Sequence, residues 1–269
     1  MTEYLKKGCV LSIFLMFALM LSACTKDDEA TSMLKVSSEK FRQVDSVKTE
    51  IDIDTLFETV SDSTGIKMIF LMENTTDPLA GHAVGFSVFD IAGYHTAGEV
   101  EVYQLEEDGE TVTYSRVNDM WIKENGDNSG NTTGIKSGFL NPDKKQKKFV
   151  LKEDLVDIEG KKCHELSGEM KGADAMDIFD IRVVNDLAGI ETPDIEDIKK
   201  ADVPFVIYIE EETNLPARIY IDITDVLNDL YKDMEENTTV SKFTIIIDYD
   251  EYNSVLPIMV PEEVMQEVS

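Results

Sequence analysis

Between Val47 and Thr55 the chain alternates strictly, with Val47, Thr49, Ile51, Ile53 and Thr55 separated by Lys48, Glu50, Asp52 and Asp54. A two-residue period sends successive side chains to opposite faces of a strand, so this stretch reads as β-structure with one buried and one wet face. Strand signals then recur along the chain. Ser61 to Gly65 is turn chemistry, and Ile66 to Met72 is nearly continuous apolar sequence, expected to be covered on both faces. Ala83–Phe89 and Gly98–Glu106 read as strands. Glu107-Asp108-Gly109 is a hairpin signal with Glu110–Val117 returning, and Met120–Lys123 pairs next. The Gly- and Asn-rich stretch 124–138 reads as a loop. Lys147–Ile158 and Lys161–Met170 form a hairpin about Glu159-Gly160. Val203–Glu210 and Leu215–Ile221 form another, and Val240–Tyr252 is the last long strand.

Helical spacing interrupts this pattern at a few places. Ser32–Ser46 places Leu34, Phe41 and Val44 near one stripe, with Ser37 and Ser38 as small fillers. Ala173–Ala188 carries Met176, Phe179, Val183 and Leu187 at helical intervals. Val226, Leu227, Leu230, Tyr231 and Met234 form an amphipathic stripe behind Thr224 and Asp225, which are expected to cap it. Ile190–Asp202 reads as an acidic loop, and Pro261-Glu262-Glu263 opens a short helix. The sum predicts an α+β fold: one large curved antiparallel sheet of about ten or eleven strands, with helices covering one face. No composition break or internal repeat divides residues 32–269, which are expected to form a single domain.

The segment ahead of that domain predicts an address. Lys6 and Lys7 precede an apolar run from Cys9 to Leu21, too short for a comfortable membrane span. Leu21-Ser22-Ala23-Cys24 follows and resembles the bacterial lipobox. That resemblance implies a signal peptide over residues 1–23 and a Cys24 that carries a diacyl, palmitate-type anchor. Residues 24–31 would then be the acylated end and a short polar tether. An ordinary signal peptide with an incidental cysteine, or an uncleaved anchor, are the alternatives. After processing and acylation Cys163 is the one remaining thiol, so no disulfide is expected within the mature chain.

The charge excludes one class of partner. With 25 Lys+Arg against 54 Asp+Glu the net charge is −29, whereas nucleic-acid binding needs a surplus of Lys and Arg for phosphates. An acidic domain tethered to an anionic bilayer is pushed outward from it. Catalytic signatures are missing too. His82, His95 and His164 form no HExxH pattern, and Cys163-His164-Glu165 alternates across a predicted strand. The chain has no GxSxG, Walker or dinucleotide fingerprint. No catalytic residue, cofactor or metal site is therefore expected. The acidic runs Glu106-Glu107-Asp108 and Glu210-Glu211-Glu212 read as solvated turns, with weak surface Ca²⁺ binding as the alternative.

Four stretches carry a family resemblance: FRQVDSVKTEIDID from Phe41, YQLEEDGETVTYSRVNDMWIKE from Tyr103, VPFVIYIEEETNLPARIYIDITDVL from Val203 and FTIIIDYDEYNSVLPIMVPEEV from Phe243. Thr213-Asn214-Leu215-Pro216 and Val260-Pro261-Glu262-Glu263-Val264 are their most recognisable pieces. Over roughly residues 32–269 the chain resembles the superfamily of the lipoprotein carrier LolA and the mycobacterial lipoproteins LppX and LprG, and within it the Gram-positive lipoproteins. The resemblance implies an unclosed β-barrel that holds helices in its concavity and takes acyl chains between the two layers. It also implies a lipoprotein on the outer face of a Gram-positive cell membrane.

Candidate cavity residues follow. Met68, Phe70 and Met72 share one side of a predicted strand, and Phe86 and Val88 share a side of the next. Trp121, Phe179, Leu227 and Tyr231 complete the set. Each is open to two readings, as lining of an acyl cavity or as ordinary core. A membrane-tethered binder of lipids or other hydrophobes predicts a cavity near residues 173–188 and 223–235. An envelope sensor or protein-interaction module predicts a filled core and an exposed apolar or acidic patch instead.

Overall fold

The computed structural model describes residues 29–59, 62–107, 109–117, 119–125, 149–178, 181–232, 234 and 238–268. Helix α1 spans 29–41. Six strands follow as a meander: β1 Ser46–Glu58, β2 Ser63–Thr76, β3 Leu79–Ile91, β4 Tyr94–Glu107, β5 Glu110–Val117 and β6 Met120–Asn125. Next come β7 Val150–Leu151, β8 Val156–Ile158 and β9 Lys161–Lys171, then helices α2 Gly172–Ile178, α3 Ile181–Ala188 and α4 Ile195–Lys200. The chain ends with β10 Asp202–Glu210, β11 Pro216–Asp222, α5 Thr224–Tyr231, β12 Thr239–Asp250 and α6 Glu262–Glu267. Among the described residues the twelve strands form one sheet in the order β6-β5-β4-β3-β2-β1-β12-β11-β10-β9-β7, with β8 also paired to β9. Every pairing is antiparallel, and β6 and β7 at the two ends of the order do not pair with each other. The fold is the expected unclosed barrel of curved antiparallel sheet with helices on one face, built from twelve strands.

Cross-strand register assigns the faces. Met68, Ile53, Ile245, Ile221 and Phe205 stand directly opposite one another across β2, β1, β12, β11 and β10. All five are buried, together with Leu34 and Phe41 of α1, Val184 of α3, Ile198 of α4 and Leu227 of α5. This is the main core, and α1 to α5 cover it. Phe41 packs edge-on against Tyr249 at 5.5 Å and Tyr252 at 6.2 Å, which ties the first helix to the last strand. Helix α6 departs from the expected arrangement. It lies on the opposite face, where Val264 is buried with Tyr103, Val112 and Tyr114.

Several local expectations are corrected. Helix α1 begins within the stretch expected as tether and ends at residue 41, because residues 42 and 43 turn the chain into β1. Strand β2 is buried on one face only: Ile66 and Met68 are covered while Leu71 is 47% exposed. Helices α1–α5 cover one side of the sheet and α6 packs over β4 and β5 on the other, so the apolar residues on the two sides of β2 meet different surroundings. The expected helix over 173–188 is two helices, α2 and α3. The expected loop over 190–202 contains α4, whose N-cap Asp194 accepts a hydrogen bond from the Glu196 amide at 2.8 Å. With one buried residue, Ile198, that helix carries too short a stripe to stand out in sequence. Helix α5 starts at Thr224, so Thr224 and Asp225 lie inside it, and Asp222, two residues before Thr224, accepts from the Thr224 amide at 3.0 Å. The loop expected at 124–138 lies almost wholly outside the described residues.

Candidate functional site

The face of the sheet away from α1–α5 carries its side chains in two adjacent cross-strand rows. One runs Tyr103, His82, Glu73, Lys48, Asp250 across β4, β3, β2, β1 and β12. The next runs Glu101, Val84, Leu71, Glu50, Asp248, Arg218 and continues onto β11. Directly opposed side chains on one face of an antiparallel sheet sit close enough to interact. The rows therefore place an apolar pair, Leu71 and Val84, between carboxylates. Phe86, two residues along β3 from Val84, extends the apolar floor and is 44% exposed. Over these residues lies a groove of about 530 Å³, walled on one side by Glu159 in the turn before β9. That volume is within the range of small-molecule sites.

Most charges at the rim are neutralised by neighbours. Lys48 bonds Glu73 at 3.2 Å and Glu251 at 3.0 Å, and these carboxylates raise its pKa. Arg218 holds both carboxylate oxygens of Asp248, with Nη2 at 2.8 Å from Oδ2, and reaches Glu159 at 2.8 Å. Lys161 sits 3.0 Å from Asp250 and holds its carboxyl below the ordinary range. His82 meets Glu101 at 3.1 Å and stacks on the Tyr103 ring at 4.3 Å. Burial, aided by the 3.0 Å bond to Glu101, pushes the Tyr103 hydroxyl up to about 12. On β1 the outward acids Asp52 and Asp54 are paired with Lys67 and Lys242. Glu50 has no ion pair or hydrogen bond among the described residues, although Asp248 stands directly opposite it.

The structure divides the sequence-derived candidates between two faces. Met68, Leu227 and Tyr231 are buried in the main core, and Phe70 packs against it. Phe70 stands opposite Gly85, whose bare backbone lets the ring lie across β3: a Cβ there would come within 2.8 Å of the ring. Met72 is half-buried. Phe86 and Val88 are exposed on the other face, so the structure does not bring them together with Met68 and Phe70. Trp121 is half-buried 5.9 Å from Tyr103, beside the second, smaller core. Phe179, like Leu21, Ser22, Ala23 and Cys24, lies outside the described residues. Between the layers, the void bounded by Ala175, Ile181, Ile198, Leu227 and Ile245 is about 20 Å³, room for roughly one water molecule.

Sequence reasoning missed Glu50, Val84 and His82 as neighbours in one site. His82, which belongs to no ligand pattern in the sequence, is half-buried within β3. The available signal was outward placement of an apolar residue, Leu71, on a strand whose neighbours are charged. Cys163 is fully buried, and burial pushes its thiol up to about 11, which disfavours the reactive thiolate. Among the described residues no group of three or more His, Cys, Asp or Glu side chains is arranged to hold a metal ion, and no helix is long and apolar enough to cross a membrane.

Fold and groove define a non-closed sheet scaffold with a covered core face and a second face that bears an amphipathic groove. The chain belongs to DUF6612, described as a family of unknown function, which it matches over residues 29–269. No curated protein matches it. Among solved structures it is similar to the lipoprotein LppX of Mycobacterium tuberculosis, with 11% identity and a TM-score of 0.49 over 87% of this chain and 100% of that one. It is similar to LprF of Mycobacterium bovis, with 15% identity and a TM-score of 0.44 over 87% and 97% of the two chains. A third, an outer membrane lipoprotein-sorting protein domain from Vibrio parahaemolyticus, gives 7% identity and a TM-score of 0.29 over 86% and 95%.

Proposed function

We propose that this protein is a lipid-anchored lipoprotein on the outer face of a bacterial, Gram-positive cell membrane, that it binds a lipid or another hydrophobic ligand, and that it performs no catalysis. The observation that carries the binding reading is the groove of about 530 Å³ floored by Leu71, Val84 and Phe86. Exposed large apolar side chains gathered in a concavity and rimmed by charge mark a binding surface. The anchor rests on the lipobox-like Leu21-Ser22-Ala23-Cys24, with Cys24 as the acylated residue. Of the cavity set drawn from sequence, Met72 and Phe86 line this groove, Met68, Phe70, Leu227 and Tyr231 belong to the main core, and Trp121 packs against the smaller one.

Native mass spectrometry of the protein purified from the cells that process it, with organic extraction, tests both parts. The expected result is a diacyl mass on Cys24 and a separate, extractable hydrophobe at one per chain, lost in Phe86→Lys. An unmodified Cys24, or a chain that stays empty after incubation with membrane lipids, overturns the corresponding part. A second reading, a non-enzymatic envelope sensor or protein-interaction module, draws on the 20 Å³ void among the described residues between the sheet and α2–α5. It predicts an empty chain in that experiment and a protein cross-linked through the groove face.

A further inference from the structure

The groove has a charge requirement that the protein itself leaves unmet. Its lining contains five carboxylates, Glu50, Glu73, Glu159, Asp248 and Asp250, against one lysine, Lys48. Four of the five are matched: Glu73 by Lys48, Glu159 and Asp248 by Arg218, and Asp250 by Lys161. Glu50 alone has no cation among the described residues. Glu50 is exposed to solvent, so what disfavours it is its like-charged neighbour. Asp248 is directly opposite on β12, and like charges at directly opposed positions destabilise a sheet. Lys48, on the same face of β1, is turned to Glu73 and Glu251 instead. On its other side, Glu50 stands directly opposite Leu71, the first residue of the apolar floor, which continues to Val84 and towards Phe86.

We propose that the groove selects a cationic amphiphile, with its ammonium or guanidinium head at Glu50 and its apolar body over Leu71, Val84 and Phe86. This rests on the binding reading above and adds the ligand's chemical class. A head at Glu50 supplies the missing counter-charge and relieves the Glu50–Asp248 repulsion. An anionic head would meet an uncompensated carboxylate, and a neutral one would leave it unpaired. The specificity lies in the adjacency of one free carboxylate and one apolar floor, since each of the other four rim carboxylates already touches a cation of the protein.

Titration calorimetry on the chain from residue 24, with Cys24→Ser in place of the acylated cysteine, tests it. The probes are dodecyltrimethylammonium, dodecyl maltoside and dodecyl sulfate, each below its micelle concentration. The expected order is cation tightest, with an advantage of about fivefold over the neutral probe, as for an exposed ion pair, and the anion weakest. Glu50→Gln is expected to erase the cation's advantage and leave the neutral probe unchanged. Glu106→Gln, the same charge change on the other face of β4, is expected to leave the advantage intact, which separates a local contact from attraction by the net charge of −29. If all probes bind alike, if the anion binds best, or if Glu106→Gln matches Glu50→Gln, the charge preference is overturned while the binding reading stands. If no probe binds, the groove's binding role falls with it.

Discussion

The two faces of this sheet are made from the same strands and do opposite work. On β1 the residues Val47, Ile53 and Phe57 are buried beneath helices, while Lys48, Glu50, Asp52 and Asp54 stand on the other side. On the covered face the apolar side chains are removed from water and hold the fold together. On the other face the side chains pair with each other in the open, where ion pairs contribute little to stability. The comparison teaches a separation of tasks. The main core lies on one face, so the part of the other face that α6 leaves uncovered is free to carry a binding surface.

The largest expected effect breaks the covered face. Phe243 is fully buried and packs edge-on against Phe57 at 6.1 Å. Phe243→Ala is expected to cost about 3–5 kcal/mol, read as a lower urea midpoint with an unchanged slope. A smaller effect concerns the second core, where α6 is held by Val264 against Tyr103 and Val112. Val264→Ala removes two methyl groups and is expected to cost about 1–2 kcal/mol. Hydrogen exchange should quicken first at Glu262–Glu267, with the main core unaffected.

A third test uses pH. The Cys163 thiol is neutral when protonated, and its folded-state pKa is raised from 9.0 to about 11. The stability linked to this group is fully present below pH 9 and is lost as pH rises towards about 11. The wild-type protein is thus expected to lose more stability over that window than Cys163→Ala, measured by urea unfolding at successive pH values. Equal slopes would sink the assignment. The smallest stability effect sharpens the comparison. Phe86→Ser on the bare face is expected to shift unfolding by less than about 0.5 kcal/mol while weakening uptake of a hydrophobic probe severalfold. A large loss of stability there would show that both faces hold the fold.

Much of the fold was legible because the antiparallel meander is local. The hairpin signal at Glu107-Asp108-Gly109 does join β4 to β5, whose pairing ends at Glu107 opposite Glu110. Ala92-Gly93 was not read as a turn, and it joins β3 to β4 with both residues at positive φ. Gly93 carries a turn signal, but Ala92 gives no sign of the left-handed backbone it adopts. The strand around Leu71 was read as doubly covered because its composition cannot say which side a helix will occupy. Helix α4 escaped notice for want of length.

The candidate site was barely legible. Glu50 and Asp248 are far apart in the chain, as are Lys161 and Asp250, and no local pattern links them. Period-two alternation by itself determined that this chain forms strands with two unlike faces, and an uneven charge count determined that one of them would be acidic. Only the tertiary structure decided which face the helices take, where α6 crosses to the other side, and which carboxylate is left without a cation. The reason is physical: alternation is a property of one strand, whereas cover and counter-charge arise from register between strands distant in sequence.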